Sequence, residues 1–441
     1  MTEISCACLK FSDRKLVVDI LAVLFGISAW ISVNGMFVQL PLMVQTQPEN
    51  WNLPSYLAVI IQIANIGPIL YSVSQKFLPG KIRDSWFIYT LLTFGTTASL
   101  LMGFFYDRTT VIGQEHSTAL FVLSFFGALV GCTSSVLFMP FMGNFREIYL
   151  ISYFVGEGLS GFVPSIVALI QGVGGNPVCV PDPNNSSVIV PHTDPPRFTT
   201  HNFYFFLFAL MATSTCSFFL LNNLKVCKSE RTDAKTRSRT VSQNNNDSRH
   251  SEELNTQKVF TIREEVQSLV KETEAKSGVA TGIAEKDSES CAVPQSSPAV
   301  LSDFTYVYFL ALAAWVCMFG NGIFPSIQSY SCLPYGNVAY HLSVTLGSMA
   351  NPMACFLAFF YPYTSVPMIS VLASLSTFVT GYILTTALLS PSPPLVATSG
   401  GEALVVSIAN VIINYVISFT SLCKIFTCLS STSFSVYLML S

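Results

Sequence analysis

Ten stretches of this chain are apolar over about the length that a helix needs to cross the ~30 Å hydrocarbon core of a bilayer, and nothing else in it restricts the fold so tightly. They are Leu16–Leu40, Tyr56–Val73, Trp86–Tyr106, Ala119–Met139, Leu150–Ile170, Phe203–Leu221, Phe304–Phe324, Val338–Phe360, Val366–Leu389 and Ala403–Cys423. Inside lipid every backbone polar group must find a partner in its own segment or a closed barrel, so runs of this length are predicted to be helices. Charged residues make up only 11% of the chain, against roughly 25% in an average soluble domain. The expected fold is therefore an all-α polytopic membrane protein. An eleventh run, Ile425–Leu440, is short and broken by the polar residues Ser430 to Ser433, so it counts only as marginal.

The first run has basic residues before it, Lys10, Arg14 and Lys15, as a secretory leader would. It is far longer than the 7–15 residue core of such leaders, and no small-residue cleavage site follows, so it reads as a retained span. The basic residues also orient the chain. With the N-terminus cytoplasmic, the short inside segments hold Lys10, Arg14, Lys15, Lys76, Lys81, Arg83, Arg146 and Lys424, and the outside segments hold only Arg108 and Arg197. The predicted glycan acceptors Asn184 and Asn185, in Asn184-Asn185-Ser186-Ser187, then fall outside. Asn246-Asp247-Ser248 matches the same pattern but falls inside, where it is expected to be a chance match. Twelve cysteines form no C-x-x-C, and of those on the outer side, Cys179 and Cys332, pairing and two free thiols are equally expected.

Four segments follow: a cytoplasmic N-terminus at 1–15, a six-helix bundle at 16–221, a cytoplasmic and mostly disordered loop at 222–302, and a second bundle at 303–441, apparently shortened at its end. The loop balances twelve basic against twelve acidic residues between Lys225 and Val300, a solvated composition, with one helical pattern from Val259 to Ala275. The two bundles share a pattern. Trp30, Asn34-Gly35 and Phe37 return as Trp315, Asn321-Gly322 and Phe324, and Tyr56 and Ala64-Asn65 return as Tyr340 and Ala350-Asn351, with offsets of 284 to 287 residues. Spans one and seven run in the same direction, so the repeat is parallel, the plan of major-facilitator-like carriers.

Polar side chains inside lipid need a partner or a function. No Lys or Arg falls within a predicted span, which favours an uncharged solute. The amides in and beside the spans are Asn34, Gln39, Gln62, Asn65, Asn321, Gln328, Asn351, Asn410 and Asn414; each can line a cavity or join helices, and repetition favours the cavity for Asn34, Asn65, Asn321 and Asn351. Trp30, Phe37, Trp315 and Phe324 lie beside them and can stack on a flat ring. Gly35, Pro41, Pro325 and Pro352 are expected to bend the spans that carry these amides. Two titratable residues lie within spans, Glu157 and His341, and either is a candidate for proton coupling or for a silent structural role. In Val155-Gly156-Glu157-Gly158-Leu159-Ser160-Gly161 the small residues at four-residue spacing admit a close neighbouring helix. Asp19 and Glu402 lie near span ends.

Several ordered motifs together resemble the vertebrate riboflavin transporters. They are Asn34-Gly35-Met36-Phe37-Val38-Gln39-Leu40-Pro41, Leu53-Pro54-Ser55-Tyr56-Leu57, Asn65-Ile66-Gly67-Pro68, Val155 to Gly161, Tyr330-Ser331-Cys332-Leu333-Pro334-Tyr335-Gly336, Ala339-Tyr340-His341-Leu342 and Asn351-Pro352-Met353-Ala354-Cys355. The likeness runs from about 20 to 415, apart from the long loop. It implies eleven spans and sodium-independent riboflavin uptake at the plasma membrane, stimulated by external acid in some members. The amides and rings already singled out suit that substrate, and Trp30, Asn34, Phe37, Gln39, Asn65, Asn321, Phe324 and Asn351 are expected to bind it. Gln39 stands where the family has Glu, and beyond Asn414-Tyr415-Val416-Ile417 the resemblance stops, so the tail reads as substituted.

The expected partners are riboflavin and the bilayer; no cofactor, metal or nucleic acid is expected. The alternatives are a carrier of another neutral planar solute and a transport-inactive variant. An enzyme is not expected, because Glu157 and His341 on separate spans do not make a catalytic constellation by spacing. Ten spans are too many for a seven-helix receptor, and no charged filter ring is present.

Overall fold

The computed structural model describes residues 14–77, 83–182, 185–231, 318–360 and 366–396, with short pieces at 307–308, 311–312, 314–315, 398 and 400–402. The chain divides into two units, Met1–Glu230 with Leu301–Ser441, and Arg231–Val300. The described residues belong to the first unit, save Arg231. The helical pattern at Val259–Ala275, the tenth span and the marginal eleventh lie outside them, as do Asn184, Asn410 and Asn414.

The first half is built from α1 (Leu16–Ile27), α2 (Ile31–Thr46), α3 (Leu53–Ala64), α4 (Ile66–Phe77), α5 (Asp84–Phe105), α6 (Thr118–Met142), α7 (Glu147–Gln171), α8 (Thr200–Asn223) and the short α9 (Lys225–Lys228). The second half holds a π-turn at Met318–Ile323, α10 (Phe324–Cys332), α11 (Asn337–Phe360) and α12 (Val366–Leu388). Among the described residues five helices are long and apolar enough to cross a membrane, or six if α1 and α2 form one bent span. The expected count of ten is thus met only in part within that range. Two small antiparallel hairpins, β1 (Thr110–Ile112) with β2 (Gln114–His116) and β3 (Val178–Asp182) with β4 (Asn185–His192), lie between the spans. Span periodicity could not foresee them, because short connecting segments carry no apolar pattern.

Span one bends by 49°, but not at the predicted Gly35 or Pro41. The break falls at Ser28–Trp30, where the last turn of α1 tightens: the Phe25 carbonyl accepts from the Ser28 amide at 3.1 Å and from the Ser28 hydroxyl at 2.6 Å. Pro41 stays inside α2. Gly35 serves packing instead, since a side chain there would collide with Leu207 of α8. Pro352 likewise remains inside α11. Span two breaks at Asn65, between α3 and α4.

An aromatic core fastens the first half. Phe25 lies 4.8 Å from Phe138, 5.8 Å from Tyr153 and 5.1 Å from Phe218 between ring centroids, so four helices meet on one ring. Gly26 of α1 and Gly156 of α7 face each other with Gly156 Cα only 3.0 Å from the position of a Cβ on Gly26. The small-residue motif in α7 is therefore a helix-to-helix contact, as its spacing predicted. The free thiols include exposed Cys179 and buried Cys332, so these two do not pair.

At the end of the bundle remote from the hairpins, Glu230 is clamped by three groups. Lys15 Nζ lies at 2.9 Å, Arg146 Nη1 at 3.3 Å, and the Tyr149 hydroxyl donates at 3.0 Å. Burial pushes the carboxyl pKa up, but the hydrogen bonds from Lys15, Tyr149 and Arg146 outweigh it, and the net shift is downward. A depressed carboxylate pKa contributes stability above its unfolded value, ~4.3, that is lost as pH falls through the folded value. Glu230→Gln should therefore lower stability by about 1–2 kcal/mol at neutral pH. The difference should shrink below pH ~4. Thermal unfolding of the purified chain across that range measures both; a penalty independent of pH would remove the carboxylate from the account.

Candidate functional site at the seam between the halves

Both halves present the same local plan where they meet. In the first, α2 leads through a 3-10 turn at Asn50–Asn52 into α3; in the second, α10 leads through a 3-10 turn at Leu333–Tyr335 into α11. Contacts then pair reciprocally, α2 against α11 and α3 against α10, as they do about a two-fold axis. α7 also packs along α11.

Asn34 sits on the first face of this seam. Its Nδ2 donates to the Ser160 hydroxyl at 3.3 Å, and it lies beside Gly161, whose missing side chain leaves room for the Ser348 carbonyl of α11. One turn along α7, Gly158 faces Pro352 of α11. Trp30, at the break in span one, is placed to donate to the Glu157 carboxyl. Phe37 is partly buried against the apolar core.

The second face joins amides that are far apart in sequence. Asn65 Nδ2 donates to the Gln62 carbonyl and to its side-chain Oε1, each at 3.3 Å, and Gln62 Nε2 donates across the seam to the Asn321 carbonyl at 3.3 Å. Gln62, Asn65 and Asn321 are all exposed rather than packed. Asn321 lies in the π-turn, an irregular segment of the kind that often marks functional positions. Beside it Trp315, Phe319 and Phe324 form a run of rings, with centroids 4.8 Å and 6.1 Å apart in turn. Asn351 lies within α11, and its side chain is outside the described residues; so is that of Asn185 at the start of β4.

Two expected site residues are buried. Gln39 has no exposed surface, and its Nε2 donates to Gln171 Oε1 at 2.6 Å while Gln171 donates to the Phe198 carbonyl at 3.0 Å. His341, 6% exposed, faces the Ala168 carbonyl of α7 without a well-aligned hydrogen bond. Sequence reasoning underrated Gln62, whose position three residues before Asn65, on the same helix face, was the available signal. It read Ser160 only as a small packing residue and missed Gln171 at the span end, because only the neighbouring helix gives either a hydrogen-bonding role. Among the described residues no cluster of His, Cys, Asp or Glu suits a metal ion.

Helices long enough to cross a bilayer, two related halves, and amides rather than cations along their seam define a class: a polytopic membrane carrier. The chain belongs to solute carrier family 52, the riboflavin transporters, whose family model matches residues 14–439. That match reaches past 415, where the motif resemblance ended, so the tail retains family character. Relatives include riboflavin transporter member 3-A of Danio rerio, 40% identical over 89% of this chain and 84% of that one. The human member 3 is 34% identical over 89% of this chain and 85% of its own length. The human member 1 is 35% identical over 89% of this chain and 83% of its own. Among solved structures, the nucleoside transporter NupG aligns with a TM-score of 0.44 and 12% identity, covering 96% of this chain and 83% of its own. A D-xylose-proton symporter aligns at 0.43 and 14%, covering 96% and 91%.

Proposed function

We propose that this chain carries riboflavin into cells across the plasma membrane, with its N-terminus and the 222–302 segment cytoplasmic and both hairpins outside. The observation that carries this reading is that repeated amides lie on both sides of the seam: Asn34 at the contact of α2, α7 and α11, and Asn65 joined through Gln62 to Asn321. Riboflavin is uncharged at neutral pH. Its planar isoalloxazine suits Trp30, Phe37 and Phe324, and its ring edge and ribityl hydroxyls suit Asn34, Asn65, Asn321 and Asn351. Gln39, fully buried on Gln171, is assigned to holding α2 against α7. The orientation rests on the basic-residue count and places Asn184 and Asn185 where a glycan can be added. A tag in the 222–302 segment that antibody reaches on intact cells would reverse it.

The test is initial uptake of labelled riboflavin by cells expressing the chain, at matched surface level. Asn34→Ala should weaken apparent affinity several-fold, the loss of about 1 kcal/mol or more of hydrogen bonding. Competition by a neutral planar solute without ribityl hydroxyls, as strong as by riboflavin itself, would favour a broader substrate. Glu157, beside Trp30, is the carboxyl assigned to any proton linkage, and the family's Glu is absent at Gln39. Glu157→Gln should then flatten the pH profile of uptake, whereas a flat profile in His341→Gln alone would give the role to the histidine.

A further inference from the structure

Where the chain passes from α2 to α3 it makes an elbow, Gln47 to Asn52, with three unusual properties. Its upstream side is pinned to the first half. The Glu49 carboxyl, 2% exposed, lies 3.3 Å from His116 Nδ1, and accepts hydrogen bonds from the Ser117 amide at 2.8 Å and from the Ser117 hydroxyl at 2.7 Å. Its downstream side is docked on the second half: the Ser329 hydroxyl donates to the Trp51 carbonyl at 2.6 Å, the Tyr330 hydroxyl donates to Asn52 Oδ1, and the Trp51 and Tyr330 rings meet edge to face at 5.8 Å. One turn further the Ser55 hydroxyl donates to the Ser326 carbonyl at 2.8 Å. Between the pinned and docked parts stands Asn50, at φ 49°, in the left-handed region that is uncommon outside glycine and that asparagine tolerates best.

Span two touches the second half over only part of its length. Both parts of it pack on α6 of the first half, but only the part nearest the elbow, α3, also packs on α10 of the second half; beyond Asn65 α4 stays on α6 and buries none of its residues. The two halves are thus tied together at the end that carries the elbow, and α4 leaves the seam toward the other end.

We propose that the elbow and α10 form the outer gate of the transport path, with Trp51 and Asn52 as the moving latch, Ser329 and Tyr330 as its seat, and Asn50 as the fixed corner that presents the latch to that seat. This rests on the carrier reading and on the orientation given above. Opening requires the docking bonds to break while the Glu49 anchor holds, so the latch swings with the first half rather than unfolding. The latch residues position the halves and need not touch the solute.

The gate can be tested without relying on uptake. A reporter Ser348→Cys puts a thiol on the partly buried turn of α11 whose carbonyl lies beside Gly161, and a membrane-impermeant maleimide added to intact cells reads its access, with the chain lacking the reporter as background. Adding Ser329→Ala and Tyr330→Phe should raise the labelling rate about fivefold or more for the bonds lost. Asn52→Cys with Tyr330→Cys, joined by a short bifunctional methanethiosulfonate that spans the space of the lost tyrosine ring, should stop labelled riboflavin uptake until a reductant is added, and each single variant should be unaffected by the cross-linker. Unchanged labelling in the weakened variant, or full uptake with the latch cross-linked, would overturn the gate. Faster labelling in a chain that takes up no riboflavin would leave the gate standing and reject the substrate.

Discussion

Gly156→Leu should leave little folded protein at the cell surface, the largest single-residue effect expected anywhere in this chain. α1 and α7 approach so closely at this point that a Cβ on Gly156 would meet the Val23 carbonyl carbon at 2.8 Å and Gly26 Cα at 3.0 Å. These are backbone atoms, and no rotamer change can move them aside. Overpacking a core by a methylene or two costs about 1–3 kcal/mol where side chains can adjust; here the helices themselves must separate, so the cost should exceed that range. Separation would also disturb the Phe25 cluster and the Trp30–Glu157 contact, which hang on the same helix pair. Gly158→Ala is the control, because its neighbour is the Pro352 side chain at 3.3 Å and a small shift accommodates it. Surface biotinylation together with thermal unfolding in detergent separates a folding loss from a transport loss. Equal surface levels for Gly156→Leu and Gly158→Ala would contradict the close α1–α7 packing.

Removal of the buried Glu49 carboxyl is expected to be the next most damaging change. Glu49→Ala would leave the Ser117 amide at the start of α6 without its acceptor, remove one of the Ser117 hydroxyl's two acceptors, the other being Gln47 Oε1 at 2.6 Å, and free His116. A buried donor left without a partner costs about 1–3 kcal/mol, and the amide here also begins a span, so a loss on the order of 2–3 kcal/mol is expected. Glu49→Gln keeps an acceptor oxygen in place and should recover much of it. The two variants therefore separate the hydrogen-bond role from the charge. The functional consequence follows from the elbow: with its anchor loosened, the latch no longer moves as one body with the first half. External labelling of the Ser348→Cys reporter should then rise in Glu49→Ala at matched surface expression. Equal thermal stability of Glu49→Ala and the parent chain would show that the carboxyl is not an anchor.

The repeated Asn-Gly-x-Phe and Ala-Asn pairs made Asn34, Asn65 and Asn321 legible as a set before any geometry was known. Their division between the two faces was not legible. Asn34 depends on Gly161 and Ser348 to define its surroundings, and Asn65 reaches the other half only through Gln62. Gln39 shows the opposite outcome: it stands in the densest motif of span one, yet α7 buries it completely against Gln171. Proline and glycine marked where span one was allowed to bend, but Leu207 fills the space at Gly35, and the bend sits instead at Ser28–Trp30, where Ser28 and Ala29 are buried and Gly131 leaves room for the Trp30 ring.

What the sequence by itself determined is everything that the bilayer imposes segment by segment. A run of about 20 apolar residues must satisfy its own backbone, so the helical spans, the absence of fixed cations within the predicted ones and the placement of basic residues at their ends can all be read locally. What only the tertiary structure decided is which side chain on one helix meets which on another. The Gly26–Gly156 contact, the Gln62–Asn321 bridge and the docking of Trp51 and Asn52 on α10 join residues well over a hundred positions apart. Lipid is as apolar as leucine, so apolar periodicity does not tell a helix which face to turn toward its neighbours. Close packing and a few hydrogen bonds between helices make that choice, and both exist only once the helices have met.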